Sequence, residues 1–258
     1  MNFLVFQLYG AMASWGEAAV GGDRLTSLHP SRSAILGLLG AALGIRRDET
    51  SRLNALHQSV KIGIKQYDAG TLLRDFHTSQ VPSEKKNVEH STRQEELKQD
   101  KLNTILSSRD YRSDGLWVIA IWLESATEFT LEQIQTALHK PKFVLSLGRK
   151  SCPLGLPLLA QIVKDVDLRT ALDTSFMSSA PEVPTKEAWR DPLNAIHKKY
   201  QAHDVTYFWE GHIHIFDASQ QADQIQTYDK WDEPLNRVRW QFGHRLEHQL
   251  SVSLEECR

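Results

Sequence analysis

Ser31-Arg32-Ser33-Ala34-Ile35-Leu36-Gly37-Leu38-Leu39-Gly40-Ala41-Ala42-Leu43-Gly44 reads as a helix of about three turns. A serine hydroxyl at its start accepts from a free N–H of the first turn. Gly44 and the polar Arg46-Arg47-Asp48-Glu49 end it. Gly37 and Gly40 share a face, and each costs roughly 1 kcal/mol relative to alanine in a helix. That face is therefore expected to admit a second backbone. Upstream, Phe3-Leu4-Val5-Phe6-Gln7-Leu8-Tyr9 is rich in strand formers and stops at Gly10, with a loop from there to Pro30. Downstream, a short helix fits residues 50–58. Val60-Lys61-Ile62-Gly63-Ile64-Lys65 alternates like a half-exposed strand, and residues 72–78 are expected to pair with it across the Asp68-Ala69-Gly70 turn. Leu116 to Leu123 is a buried-strand pattern, Leu131, Ile134 and Leu138 fit one helix face, and Phe143 to Leu147 reads as another strand. The order to residue 150 is β-α-β-β-arm-β-α-β. It predicts an α+β, ferredoxin-like (RRM-type) fold with helices on one face of an antiparallel sheet. RNA-recognition domains use that layout, as do many unrelated proteins.

The arm is the segment at about 79–114. Ser83 to Lys101 mixes Lys85, Lys86, Arg93, Lys98 and Lys101 with Glu84, Glu89, Glu95, Glu96 and Asp100. So polar a stretch cannot bury enough area to fold against a core alone, and an insertion of this length inside a compact domain is a functional arm or a loop. After residue 165 the pattern weakens. Residues 205–216 and 238–254 read as strands between Pro-containing and acidic linkers. The expected organisation is a domain at 1–165 carrying the arm, then a mainly β subdomain at 166–258.

The chain has 258 residues, 41% of them hydrophobic, enough for a substantial core. Its formal charge of −2 does not announce a polyanion binder. Residues 1–164 carry 20 Lys/Arg against 16 Asp/Glu, a balance of +4, whereas residues 165–258 carry 10 against 16, a balance of −6. A polyanion would meet the first part more readily. The acidic remainder points to contact with another protein. Cys152 and Cys257 imply no disulfide framework and no zinc ribbon. No run approaches the ~18 apolar residues of a membrane span. The first ten residues read as a strand rather than a signal peptide. A soluble cytoplasmic protein is expected, without a membrane partner.

Several clusters could carry chemistry. Arg24, His29, Arg32, Arg46 and Arg47 crowd the first helix, whose free N–H groups and dipole attract phosphate; the alternative is a capped, solvated helix start. Lys140 to Ser151 holds four basic and no acidic side chains, and its Gly148-Arg149-Lys150-Ser151 loop could wrap a backbone phosphate or be a plain surface turn. The flanks of the arm carry Arg74, His77, Arg109, Tyr111 and Arg112, a basic and aromatic mixture suited to single-stranded nucleic acid. His244-Arg245-Leu246-Glu247-His248 matches a zinc-protease string, which on a helix sets two imidazoles one turn apart, but its flanks read as strand. His212 and His214 would share a strand face. Metal-free RNA cleavage needs a general base, and His29, His77 and Tyr111 are the available parts, though nothing in the sequence groups them.

Gly10-Ala11-Met12-Ala13-Ser14-Trp15-Gly16 resembles the G-x-M-x-x-W-G opening of the Cas-five family of type I-E CRISPR Cascade complexes. Pro30 to Ile45 is similar to that family's P-[ST]-R-S-x-[IL]-L-G-L-L-G-A-x-L-G-I helix. Arg74-Asp75-Phe76-His77-Thr78, Lys140-Pro141-Lys142 and Leu147-Gly148-Arg149-Lys150-Ser151-Cys152-Pro153-Leu154 resemble its R-D-[YF]-H-T, K-P-[RK] and L-G-R-[RK]-S-C-P-L. The blocks keep their order from residue 3 to about 160, and the C-terminal third matches less clearly.

The resemblance implies a non-catalytic, RNA-binding subunit of the repeat-associated (RAMP) superfamily. Such a subunit grips the 5′ handle of crRNA and caps the backbone of an antiviral surveillance complex. The arm would be a thumb that reaches the neighbouring subunit and displaces a base. Implied partners are the crRNA, the Cascade backbone subunit and the large subunit, with target DNA reached only through the complex. No cofactor or metal is implied. The implied RNA-facing positions are Trp15, Arg24, Arg32, Ser33, Arg46, His77, Arg109, Tyr111, Gly148, Arg149, Lys150 and Ser151. In type I-C systems a related protein cuts the repeat, so a metal-independent endoribonuclease is the alternative. A zinc-bound or scaffold protein centred on His244 and His248 is a third reading.

Overall fold

The computed structural model describes residues 1–17, 22–83, 89–98, 101–124, 128–177, 204–217, 221–236 and 241–253. Lys85, Lys86, Glu84, Asp100, Val238-Arg239-Trp240 and Cys257 lie outside them. Cys152 is buried and free. At the centre are β1 (Phe3–Tyr9) and β6 (Leu116–Leu123), antiparallel in the register Leu4↔Ile121 to Tyr9↔Leu116. Side chains alternate along a strand, so Leu4, Phe6 and Leu8 enter one core and Phe3 and Val5 the other. Both faces of β6 are covered, which is why its sequence is continuously apolar.

The first core lies under α1 (Arg32–Leu43), α2 (Thr50–Ser59) and α4 (Leu131–His139). α1 is held at both ends. Ser31 Oγ accepts from the Ala34 N–H at 3.3 Å. Gly44, at φ 75°, donates to Ala41 O, and Ile45 donates to Gly40 O, which is a Schellman stop. Gly37 faces solvent with nothing near its Cβ position, and Gly40 meets only Leu53 at 3.8 Å. The expected backbone approach on that face does not occur.

The ferredoxin-like layout is present. β3 (Val60–Asp68) pairs with β6, and β7 (Gln161–Val163) with β1, so the first four strands run β7-β1-β6-β3. β7 takes the place expected for Phe143 to Leu147. The Lys142 and Phe143 N–H groups donate instead to Ala42 O and Ala41 O at the end of α1, so they cannot enter a ladder. Beyond β3 the same sheet continues as β8 (Val205–Trp209), β10 (Gln241–Val252) and β9 (Gln226–Asn236), seven strands among the described residues. Hydrogen bonding across the sheet does not break at residue 165.

The opposite face is covered by α5 (Leu168–Met177), whose Leu168, Ala171 and Leu172 are fully buried. Helices therefore pack on both faces rather than one. β3 is correspondingly an interior strand, and even Lys65 is buried, its ammonium 2.7 Å from Asp173 Oδ1. Gly63 makes room for α5, because a Cβ there would lie 2.9 Å from a Leu168 methyl. Gly63→Val is expected to destabilise by about 2 kcal/mol through overpacking. Adding Leu168→Ala should recover part of that loss in a thermal-unfolding double-mutant cycle.

A second sheet forms the arm. β4 (Thr71–Pro82) pairs residue for residue with β5 (Leu102–Ser113), from Thr71↔Ser113 to Pro82↔Leu102, and a short α3 (Arg93–Leu97) lies between them. β4 does not fold back on β3. Gly70, at φ 74°, has its Cβ position 2.4 Å from Ser113 O, so the turn closes against the end of β5. The arm therefore begins at residue 71, not 79.

Candidate nucleic-acid interface

The Gly-Arg-Lys loop is docked by close backbone contacts. Gly148 sits at φ 83°, and a Cβ there would lie 1.9 Å from Ser14 O. Only glycine meets both conditions. Ser14 N–H donates to Leu147 O at 3.0 Å, and Gly155 N–H to Tyr9 O at 2.8 Å. A Cβ on Gly10 would come within 2.7 Å of Leu147 and of Pro153 O. The loop is thus fitted against β2 (Met12–Ala13) and its neighbours, which in turn pair with β5. Lys150 and Ser151 stay exposed at its tip.

The base of the arm meets the same place. Residues 23–26 run beside β5 in parallel: Arg24 N–H donates to Ser108 O at 2.8 Å, and Asp110 N–H donates to Arg24 O at 2.9 Å. Arg149 Nη2 donates to that same Arg24 carbonyl at 3.2 Å, and its guanidinium lies 5.0 Å from the Tyr111 ring centre. Arg74 grips Asp110 through Nε at 2.8 Å and Nη2 at 2.9 Å. Arg112 Nε donates to Ser27 O at 3.3 Å. Arg24, Arg74, Arg109, Arg112 and Arg149 therefore gather around residues 108–112, with Lys150 beside them in sequence. Arg74 holds the Asp110 carboxyl below its usual range against the effect of burial. Tyr111 itself is buried beneath Arg149, where it supports the cation without offering a face to a base. Trp15 is buried edge-on against Trp117 at 5.1 Å, so its ring is likewise core.

The start of α1 is not an open anion site. Its free Arg32 N–H already donates to the Asp232 carboxylate at 3.2 Å. The Arg32 side chain is buried, pairs with Glu210 and with Glu233 (Nε–Oε2 2.6 Å), and donates to Val60 O at 3.0 Å and His57 O at 2.5 Å. Ser33 is half-buried, 3.1 Å from the Ser31 hydroxyl. Around this site Glu247 meets His29 at 3.4 Å and Arg245 at 2.6 Å, and Arg245 also forks onto Asp232 at 2.6 and 2.9 Å. Burial alone would raise the Glu247 carboxyl, but His29 and Arg245 hold it down at about 2. A depressed folded pKa stabilises above the ordinary value of 4.5 and loses that contribution as pH falls toward about 2. At pH 7 the native chain should exceed Glu247→Gln in stability by about 3 kcal/mol. Urea unfolding of both forms between pH 7 and pH 3 should show that margin shrinking.

The remaining candidates scatter. Arg46 is exposed just past α1, where its N–H donates to Glu49 Oε1 at 2.8 Å. Lys142 lies across Gly44 and caps α1. His77 pairs with Asp75 on the arm. His77 is opposite Ser107, four residues along β5 from Tyr111, or about 13 Å. His29 is stacked on Phe208 at 4.0 Å in the core. The three general-base candidates are not brought together. His212 and His214 lie in and beside a 3₁₀ turn (Ile213–Ile215), not on a strand. His244 and His248 are on β10, the first against Asp229, the second between Thr227 and Gly211 O. Among the described residues no group of three or more His, Cys, Asp or Glu is placed to hold a metal. Sequence reasoning missed Asp110 and Ser14, which hold the cationic cluster. The one signal for Asp110 was an acid set between Arg109 and Arg112.

Comparison with known proteins agrees with this architecture. The Cascade subunit CasD of Escherichia coli (strain K12) is 34% identical over 179 residues, 66% of this chain and 75% of that protein. One chain of a CRISPR RNA-guided surveillance complex superposes with TM-score 0.61 at 22% identity, covering 98% of this chain and 90% of its own. A Cas protein crystal structure gives 0.53 at 19%, covering 98% and 96%. Among described residues no helix is long and apolar enough to cross a membrane. The family model for CRISPR-associated protein (Cas_Cas5) matches residues 3–246, both the arm and the sheet beyond it, and the chain belongs to that family.

Proposed function

We propose that this chain binds the 5′ handle of a guide RNA as a non-catalytic subunit of a Cascade-type surveillance complex. The reading rests chiefly on one observation: the Gly148–Ser151 loop and the base of the arm meet at a single arginine-rich edge. Guanidinium forks suit phosphate oxygens, and such contacts position an RNA without reading its sequence. Sequence is left to pairing between guide and target. Arg24, Arg109, Arg149 and Lys150 supply the phosphate contacts, joined by Arg74 and Arg112. Gly148 seats the loop against Ser14. Arg46 and Ser151 lie at the margin. Trp15, Arg32, Ser33 and Tyr111 act by holding the surface in place. Along the arm Phe76 is 63% exposed, and on the same face Leu106 is 53% exposed. That face suits contact with an unstacked base or with the backbone subunit. The large subunit and target DNA are reached through the assembled complex.

The test uses purified chain with labelled repeat RNA and processed guide RNA in EDTA. Tight binding of the handle without cleavage is expected. Arg149→Ala should weaken it about tenfold and lower the salt slope by about one. Specific cleavage of the repeat would instead make the protein a processing endoribonuclease.

A further inference from the structure

Asp110 is out of place on an RNA-facing edge unless it does something for the arginines. Its backbone already has partners: its N–H donates to Arg24 O, and its carbonyl accepts from Ser14 Oγ at 3.0 Å. The carboxylate is not needed for those bonds. Its side chain is 5% exposed, yet it is committed to Arg74, whose side chain is 60% exposed. With Arg74 mostly in solvent the pair is screened from one side, so sparing the buried Asp110 carboxylate is an incomplete account of it. Geometry offers a better one. An arginine carries five N–H donors, and Asp110 takes two of them through Nε and Nη2. The remaining three are held in one fixed plane at the base of the arm. Arg149 reaches the neighbouring Arg24 carbonyl, and one of its terminal nitrogens, Nη1, is shielded from solvent without a hydrogen-bond partner. Asp23 is also within electrostatic reach of Arg74. The edge still carries more guanidinium groups than carboxylates.

We infer that Asp110 is a positioning residue for RNA: it sets Arg74 as a rigid fork on a phosphate of the handle, beside the phosphate contacts of Arg149 and Arg24. This rests on the handle-binding reading above. It makes a counter-intuitive prediction. Removing a negative charge from a phosphate-binding edge should weaken specific binding, because a mobile arginine loses orientation.

The experiment compares the full-length chain with Asp110→Asn. The probes are the repeat-derived handle RNA and a scrambled RNA of the same length and composition. Asp110→Asn is expected to lower handle affinity about tenfold, the scale of one charge-assisted hydrogen-bonding partner. Scrambled RNA should change less than twofold, because without the handle's shape it holds no phosphate at that fixed place. Tighter binding of both RNAs, or unchanged preference for the handle, would overturn the inference, since charge alone would then account for Asp110. Should Asp110→Asn fail to fold by circular dichroism, Arg74→Lys carries the test. It keeps the charge and loses the fork, so retained preference overturns the inference and lost preference supports it. A native chain that does not prefer the handle at all defeats the parent reading, and that result is visible before any variant is made.

Discussion

Replacing Arg32 with alanine is expected to lower the melting temperature by roughly 10 °C while leaving handle affinity per folded molecule within about twofold. The guanidinium is buried between Glu210 and Glu233 and donates to Val60 O and His57 O. Removing it strands the Glu210 carboxyl, which is 5% exposed and already raised by burial despite the pull of Arg32. Breaking a buried pair from one side costs about 3–5 kcal/mol, because the other charge has no water to return to. Removing both partners costs less. Arg32→Met with Glu210→Leu should therefore melt above Arg32→Ala. Thermal unfolding checks the first statement, and binding normalised to the folded fraction checks the second. Loss of handle binding with an unchanged melting temperature would put the guanidinium on RNA and defeat the internal role. In sequence Arg32 was one of five basic side chains crowding the first helix as a possible phosphate site. The structure makes it the bolt that joins α1 to β9 and to Glu210 just past β8.

Gly148→Ala should have the largest effect on RNA binding. Its φ of 83° disfavours any L side chain, and the added methyl would stand 1.9 Å from Ser14 O. Left-handed strain alone costs about 1–3 kcal/mol. The overlap cannot be relieved by a rotamer, since both atoms belong to backbone or to Cβ. The loop must lift from residues 13–15, carrying Arg149 away from Tyr111 and from Arg24 O. Handle affinity should fall about a hundredfold, ten times more than for Arg149→Ala, because Lys150 and the loop amides move too. The body of the fold should persist, with a melting temperature only a few degrees lower. Fluorescence anisotropy with handle RNA, beside circular dichroism, separates the two effects. Affinity within threefold of the native chain would mean the loop is a plain surface turn.

The acidic C-terminal region needs a different account from the one its charge suggests. Four of its 16 acidic side chains, Glu210, Asp232, Glu233 and Glu247, are spent on Arg32, Arg245, His29 and Lys230. These four balance internal cations and are not left for an external partner. Cutting the chain at residue 180 would remove β8, β10 and β9 and expose an edge of β3. Such a truncation tests folding before it tests assembly.

Local chemistry alone settled a good part of this molecule. The Ser31 cap and Gly44 stop, the apolar run of β6 and the strand-forming run of β1 depend on neighbours within a few residues, and all were legible in the chain. The Gly-Arg-Lys stretch was likewise legible as a loop, because glycine is a strong local turn signal. What tertiary structure decided was partnership. Phe143 to Leu147 has a strand's composition, but the Phe143 N–H donates to the end of α1 and the Leu147 N–H to Cys152 O. Lys65 looks like a solvent-facing residue until α5 covers it with Asp173. Arg32 and Arg149 look alike in sequence. Carboxylates about 180 to 200 residues away bury one, while the Arg24 carbonyl and the Tyr111 ring hold the other at the surface. A side chain's type is written locally, but whether its charge meets a buried carboxylate or remains for a ligand depends on long-range packing, which no local pattern encodes.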